Sequence, residues 1–466
     1  MAEKEFKMVD KQQVDYLIVN GEVYTGDRAS PFIRNGAIAV RESRIVDVGE
    51  TSELIAKYKS LDSIDVGGAI VHPGMIDTHV HATSIVLHGL PVSTDHPIES
   101  KVSYADVKVQ TDDESTDALV AAAAVALLRR GYTCFMEAGT VFETDAFVAA
   151  LERIGMRGMV SAPFGWDDVS TFEKHAPGMI TTRLMERAPA DKATVLRRLE
   201  RELTRNTDKD TLVTGYVCLY GEGSATDGLT QDASDLAKQS GVLFNQHQGF
   251  IPLWEEVETS KHGISGVERL HRLGALHKGT TLSHMNVMSD RDAELVVEHK
   301  PGLTWCPNNA LHRAVHPAKP CRFPALMKQG VSVSLGIDTT MYHPLGTSGM
   351  VSLLLSAACG ERLDDGEPFY MQTANAAQNV GLGDQLGTLA PGKRADIVVR
   401  TAHDITHTSL EQGGGLLALS SFNIPVDLVI IDGQIIMRDG LLTRVDQDEV
   451  LRRGLEQRRR VLERAR

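Results

Sequence analysis

The stretch His72-Pro-Gly-Met-Ile-Asp-Thr-His-Val-His81 is an apolar run that ends in two histidines one residue apart. Successive strand residues point to opposite faces, so His79 and His81 project from the same face at the strand's end. Two imidazoles so placed can bind one divalent metal, but an isolated His-x-His pair carries little weight by itself. Three further apolar runs end in the same manner. His247 closes Val242-Leu-Phe-Asn-Gln, His284 closes Thr280-Thr-Leu-Ser, and Asp338 closes Val333-Ser-Leu-Gly-Ile. Polar side chains at such tips would cost several kcal/mol each without partners, so a shared role is the better explanation.

Working outward, apolar runs end at His79 and span 131–137, 156–162, 212–219, 242–247, 280–284, 303–306 and 331–338. Helical patterns intervene, including 114–130, 191–205, 234–240 and 350–359. Strand–helix alternation of this kind predicts an α/β fold, a (β/α)8 TIM-like barrel, in which catalytic groups gather at the C-terminal ends of the strands. Short strands and Asn-Gly or Asp-Gly turns before residue 70 are matched by a similar pattern after residue 386, so both termini are expected to build one small β-sandwich. The expected division is 1–70 plus 386–445 for that domain, 71–385 for the barrel, and 446–466 for a C-terminal helix.

Composition excludes several classes. With 48 Lys+Arg against 62 Asp+Glu the 466-residue chain carries a formal charge of −14, which argues against a nucleic-acid footprint or an anionic membrane surface. The longest apolar run, 118–128, is too short for a membrane span, which needs about 20 residues. No apolar segment resembling a secretory signal is visible at the start. The five cysteines (Cys134, Cys218, Cys306, Cys321, Cys359) lack metal-type spacing, so reduced thiols and a cytoplasmic location are expected.

Together the 72–81 stretch, the ordered His247, His284 and Asp338, and the segment Leu386-Gly-Thr-Leu-Ala-Pro-Gly-Lys-Arg-Ala-Asp-Ile-Val resemble the amidohydrolase superfamily of metal-dependent barrel hydrolases. The resemblance implies metal ligands at His79, His81, His247 and Asp338. It places His284 beside the attacking water, and makes Asp338 and His284 the catalytic pair. The fourth candidate strand, 211–219, has no lysine to bridge a second metal, so one divalent transition metal is expected: zinc or cobalt before manganese or iron. Deaminases of this family carry His-x-x-Glu, whose acid protonates a ring nitrogen, whereas this chain reads His247-Gln-Gly-Phe250.

That departure, with large apolar residues after the strand ends, favours attack on the carbonyl of a neutral lipophilic thiocarbamate, carbamate or urea. The chain looks most like herbicide hydrolases acting on phenylureas and on the thiocarbamate molinate. Phe250, Trp166, Leu253, Trp254, Asn309 and His312 are the candidate substrate contacts. The alternative is a deaminase or dechlorinating hydrolase of a nitrogen heterocycle, which needs a substitute acid near residue 250. A small-molecule substrate and a homo-oligomeric assembly are expected in either case.

Overall fold

The computed structural model describes residues 11–89, 104–208, 210–312, 315, 321–339, 345–401, 419 and 424–466. Strand Met75–Val80 is buried along its whole length and is followed by Tyr132–Glu137, Arg157–Val160 and Val213–Gly215 in one parallel four-stranded sheet. A second parallel sheet orders Val217–Gly221, Phe244–Gln248, Thr280–His284, Gly302–Trp305 and Val333–Leu335. Helices Asp113–Leu128, Thr144–Ile154, Lys192–Leu203, Asp227–Ser240 and Asp290–His299 alternate with these strands. Strands buried on both faces need continuous apolar sequence, which is why the runs 131–137 and 280–284 show little alternation.

The two sheets meet at both flanks. Only Tyr216 separates Val213–Gly215 from Val217–Gly221; its N–H donates to Val160 O at 3.1 Å, and Val217 N–H donates to Leu243 O at 3.1 Å. On the other flank a parallel bridge joins Val80 to Asp338. Asp77 reinforces this seam. Its carboxylate accepts the His79 N–H at 3.0 Å and the Ile337 N–H at 3.2 Å, tying the first parallel strand to the last.

Strands from both chain ends form one nine-stranded sheet, in which Ile70–Pro73 is flanked by Gln12–Tyr24 on one side and Ile397–Arg400 on the other. Ionic and hydrogen-bonded contacts fasten it to the parallel strands. Arg157 pairs with Asp396 at 2.9 Å and Asp432 at 2.6 Å, while within the nine-stranded sheet Arg400 Nε donates to the buried His72 Nε2 at 2.8 Å. The C-terminal helix Gln447–Ala465 packs on Asp113–Leu128 through Val450, Gly454, Gln457 and Val461, spaced at helical intervals. Among the described residues no helix is long and apolar enough to cross a membrane.

Candidate metal centre

His79 and His81 emerge at the end of Met75–Val80, where the seam with the last strand brings Asp338 alongside. Asp338 N–H donates to His79 O at 2.7 Å and His81 N–H donates to Asp338 O at 3.3 Å. Asp338 takes a left-handed backbone, φ 64°, which Asp tolerates better than most residues. Its Oδ1 then lies 3.2 Å from His81 Nε2 and 3.8 Å from His79 Nε2, while the Asn309 amide donates to Oδ2. From the second sheet His247 and His284 place their ring centroids 4.7 and 5.1 Å from that of His79. A side chain at Gly221 would collide with the His247 carbonyl, so glycine there lets the two strands approach.

The ligand atoms of His79, His81 and His247 lie within 4.8 Å of one another, as do those of His79, Cys306 and Asp338. His79 is fully buried, and among the described residues neither of its ring nitrogens has a hydrogen-bond partner. Such orphaned groups cost about 1–3 kcal/mol each. A cation accepting the one lone pair of the neutral His79 ring removes the cost at that nitrogen, and the nitrogen and oxygen donors suit a divalent transition metal. The His247 ring is already oriented for this purpose. Its Nδ1 donates to the Tyr220 carbonyl at 2.8 Å, and a carbonyl can only accept, so Nε2 carries the lone pair.

Burial pushes the imidazolium forms of His79 and His247 down, His79 well below the usual range and His247 to about 3, so both rings are neutral at pH 7. Burial alone would raise Asp338, but the His81 contact and the His284, His81 and His79 rings hold it well below the usual carboxylate range. Asp77 goes the other way. Burial outweighs its two backbone donors and, with Asp338 nearby, lifts it to about 8. Burial also raises the Cys306 thiol well above its ordinary value, which keeps it a thiol at neutral pH.

The six candidate substrate contacts separate into groups. Phe250 stands at the centre, its ring centroid 4.4 Å from that of His284, and Asn309 holds the Asp338 carboxylate. Trp166 and Trp254 do not join them. Trp166 is fully buried with its Nε1 donating to Ala188 O at 2.9 Å, and Trp254 packs on Phe172 with centroids 5.0 Å apart. These rings form an apolar cluster of their own, which reaches the centre through Tyr220, 5.1 Å from the His247 ring. Leu253 is 38% exposed on helix Pro252–His262, and His312 is exposed at the end of Pro307–His312. Phe250 packs against the same cluster, so these apolar residues adjoin the centre through Phe250 and Tyr220.

Other groups at the centre were not singled out from sequence. Asp77 sits inside the decisive stretch itself. Glu137 ends an apolar strand, the same signal that marked His247 and His284, and it accepts from Thr140, which contacts His81. Lys108, buried on Tyr104–Val109, donates to Thr140 and Thr83, and no local pattern distinguishes it from a surface lysine. Glu222 is the carboxyl next to Phe250, accepting its N–H at 3.0 Å. Burial raises it well above the usual range, and the acidic neighbours contributing to that rise are Glu258 and Glu255. Both lie on Pro252–His262 and accept from Gln248, the residue after His247.

Convergent neutral imidazoles and a buried carboxylate at the C-terminal ends of parallel strands define a metal-dependent hydrolytic enzyme. The chain belongs to the Amidohydrolase family, which matches residues 70–436. It is 24% identical over 457 residues to a 5-methylthioadenosine/S-adenosylhomocysteine deaminase of Desulforudis audaxviator, covering 96% of this chain and 97% of the relative. Its fold is similar to that of an adenosine deaminase from Xanthomonas campestris with bound zinc (TM-score 0.84, 20% identity, 97% of this chain and 99% of that one). It is also similar to that of the zinc complex of atrazine chlorohydrolase from Arthrobacter aurescens (TM-score 0.81, 16% identity, 95% and 100%).

These relatives correct the substrate expectation. Full-length similarity leads to deaminases and not to hydrolases of molinate or phenylureas, so thiocarbamate or urea cleavage and a herbicide-degrading role are set aside. The physical error lay in weighing one position too heavily. Phe250 removes one acid, but a ring nitrogen can take its proton from any group that reaches it.

Proposed function

We propose that this chain is a hydrolytic deaminase of a nitrogen heterocycle bearing an exocyclic amine, of the aminopurine nucleoside type. It works with one divalent transition metal, zinc or cobalt, held by His79, His81, His247 and Asp338. The observation that carries the reading is the convergence of these four side chains in a chain whose full-length relatives bear deaminase names. The paired flanks of the two sheets support one closed (β/α)8 barrel as the scaffold. The sheet built from both termini supports a separate domain beside it.

When bound, a divalent ion supplies a Lewis acid that brings the pKa of a water molecule from about 15.7 to about 7. Asp338 accepts the proton of the attacking water through Oδ1, because the Asn309 amide holds Oδ2. A carbon–oxygen bond forms at the amine-bearing ring carbon, and the adjacent ring nitrogen gains the proton that Asp338 took. The new hydroxyl then gives its proton through the same carboxylate to the departing amine. The carbon–nitrogen bond breaks, ammonia leaves, and the ring retains a carbonyl. With Phe250 beside His284, one carboxylate serves both transfers, and the Phe250 face offers the heterocycle an apolar stacking surface.

Metal-free protein reloaded with Zn²⁺ or Co²⁺ is assayed for ammonia release from adenosine-type nucleosides, guanine and aminotriazines. Release from at least one aminopurine is expected. A metal-loaded protein that deaminates nothing on this panel overturns the reading.

A further inference from the structure

We infer that Thr140, held by the Glu137 carboxylate, fixes His81 in the tautomer protonated at Nδ1 and so presents Nε2 to the cation. The inference rests on the metal centre proposed above and assigns positioning roles to Glu137, Thr140 and Lys108. Thr140 Oγ1 has three partners: Glu137 Oε1 at 2.8 Å, Lys108 Nζ at 3.0 Å and His81 Nδ1 at 2.8 Å. A hydroxyl owns one proton and two lone pairs. The carboxylate can only accept, so it takes the hydroxyl proton, and it takes the Thr140 N–H on its other oxygen at 2.9 Å. The Lys108 ammonium can only donate, so it fills one lone pair. The remaining lone pair can be satisfied only by an N–H, and His81 Nδ1 must supply it.

The alternative tautomer would set the Nδ1 lone pair against a hydroxyl oxygen 2.8 Å away whose proton already lies on Glu137. Turning the hydroxyl around would leave a buried carboxylate oxygen without its donor. Lys108 completes the arrangement. It is 1% exposed, its Nζ also donates to Thr83 Oγ1 at 2.9 Å, and its ammonium balances the Glu137 charge in the same buried layer.

The consequence appears on the other side of the ring. With Nδ1 protonated, the neutral His81 ring directs its Nε2 lone pair toward Asp338 Oδ1, 3.2 Å away. Two lone pairs at that separation call for a positive charge between them, a proton on Nε2 in the metal-free protein or the metal ion that displaces it. His247 reaches the same state through the Tyr220 carbonyl, so two ligands are preset by two unrelated devices, one backbone and one side-chain.

The test measures Zn²⁺ affinity of metal-free protein at pH 7, below the value of about 8 to which burial lowers Lys108, by competition with a chromophoric chelator, for wild type, Thr140→Ser, Thr140→Val and Glu137→Gln. The hydroxyl-retaining Thr140→Ser should bind within about twofold of wild type, while Thr140→Val should bind about 10–100-fold more weakly. Glu137→Gln should also weaken binding, because the amide can donate to Thr140 and release its proton toward His81. In parallel, ¹⁵N spectra of histidine-labelled, metal-free protein should show Nδ1-protonated His81 in wild type and Thr140→Ser, and its loss in Thr140→Val. If Thr140→Val does not fold, Glu137→Gln and the wild-type spectrum still decide. Wild-type affinity in a folded Thr140→Val, equal weakening in Thr140→Ser, or an Nε2-protonated His81 in wild type overturns the inference alone. Wild-type protein that binds no Zn²⁺ removes the metal centre and this inference together.

Discussion

Asp338→Asn should act in opposite directions on the metal-free and metal-loaded protein. Asparagine tolerates the φ of 64° at this position, so the backbone need not move. Its carbonyl can accept from Asn309 as the carboxylate does, and its NH₂ can donate to His81 Nε2, now 3.2 Å from Oδ1. One buried acceptor–acceptor contact becomes a hydrogen bond, worth about 1–2 kcal/mol. At about 2.1 cal/mol/K per residue, unfolding a chain of this length carries about 1 kcal/mol/K of entropy, so the metal-free variant should melt about 1–2 °C higher. The loaded protein should show the reverse. Zinc at a thousandfold excess over Kd stabilises wild type by about 4 kcal/mol, or about 4 °C. If loss of the carboxylate raises Kd about a hundredfold, the same zinc stabilises the variant by only about 1.4 kcal/mol. Thermal melts at pH 8 with chelator and with Zn²⁺ measure both shifts. A variant that melts lower than wild type without metal, yet gains as much from zinc, would refute the reasoning.

A methyl group at Gly336 would stand 2.8 Å from His79 Cβ and 2.9 Å from Cys306 Sγ, so Gly336→Ala should displace His79. A stability loss of about 1–3 kcal/mol and weaker Zn²⁺ binding in the chelator competition are expected. Phe250→Glu puts an acid beside His284; if ring protonation limits turnover, kcat/KM for an aminopurine should rise at least about tenfold, which steady-state ammonia assays can check. Glu255 is raised from the ordinary glutamate value of 4.5 to about 7 by burial, then by Glu258 and Asp292. A folded-state value above the unfolded one means its stabilising contribution is complete below about pH 4.5 and lost as pH rises through 7. Glu255→Gln should therefore stabilise by about 1–2 kcal/mol at pH 8, after allowance for partial exposure, and by nothing at pH 4 in denaturant titrations.

The parallel strands and the residues that converge at their ends were legible because both depend on local chemistry. A buried strand must be apolar, and a polar residue at its tip stands out, as His247, His284 and Asp338 do. The same rule would have found Glu137, which ends Tyr132–Glu137. Lys108 could not be found in this way. Its helix is short, and only tertiary packing against Thr83 and Thr140 makes it a buried cation. The direction in which the tryptophans point was not legible, for a related reason. An aromatic ring after a strand end can face the site or fold back on its neighbours, and Trp166 and Trp254 do the latter. The substrate depends on loop conformation and on one proton path, neither of which a single residue such as Phe250 determines.

The Asp77 clasp between the backbone of His79 and that of Ile337 bears on the order of events during biosynthesis. A nascent polypeptide exposes its first two imidazoles long before the carboxylate that must face them has left the ribosome. On the proposed metal centre, the four-residue ligand set is therefore complete only once synthesis has passed residue 338.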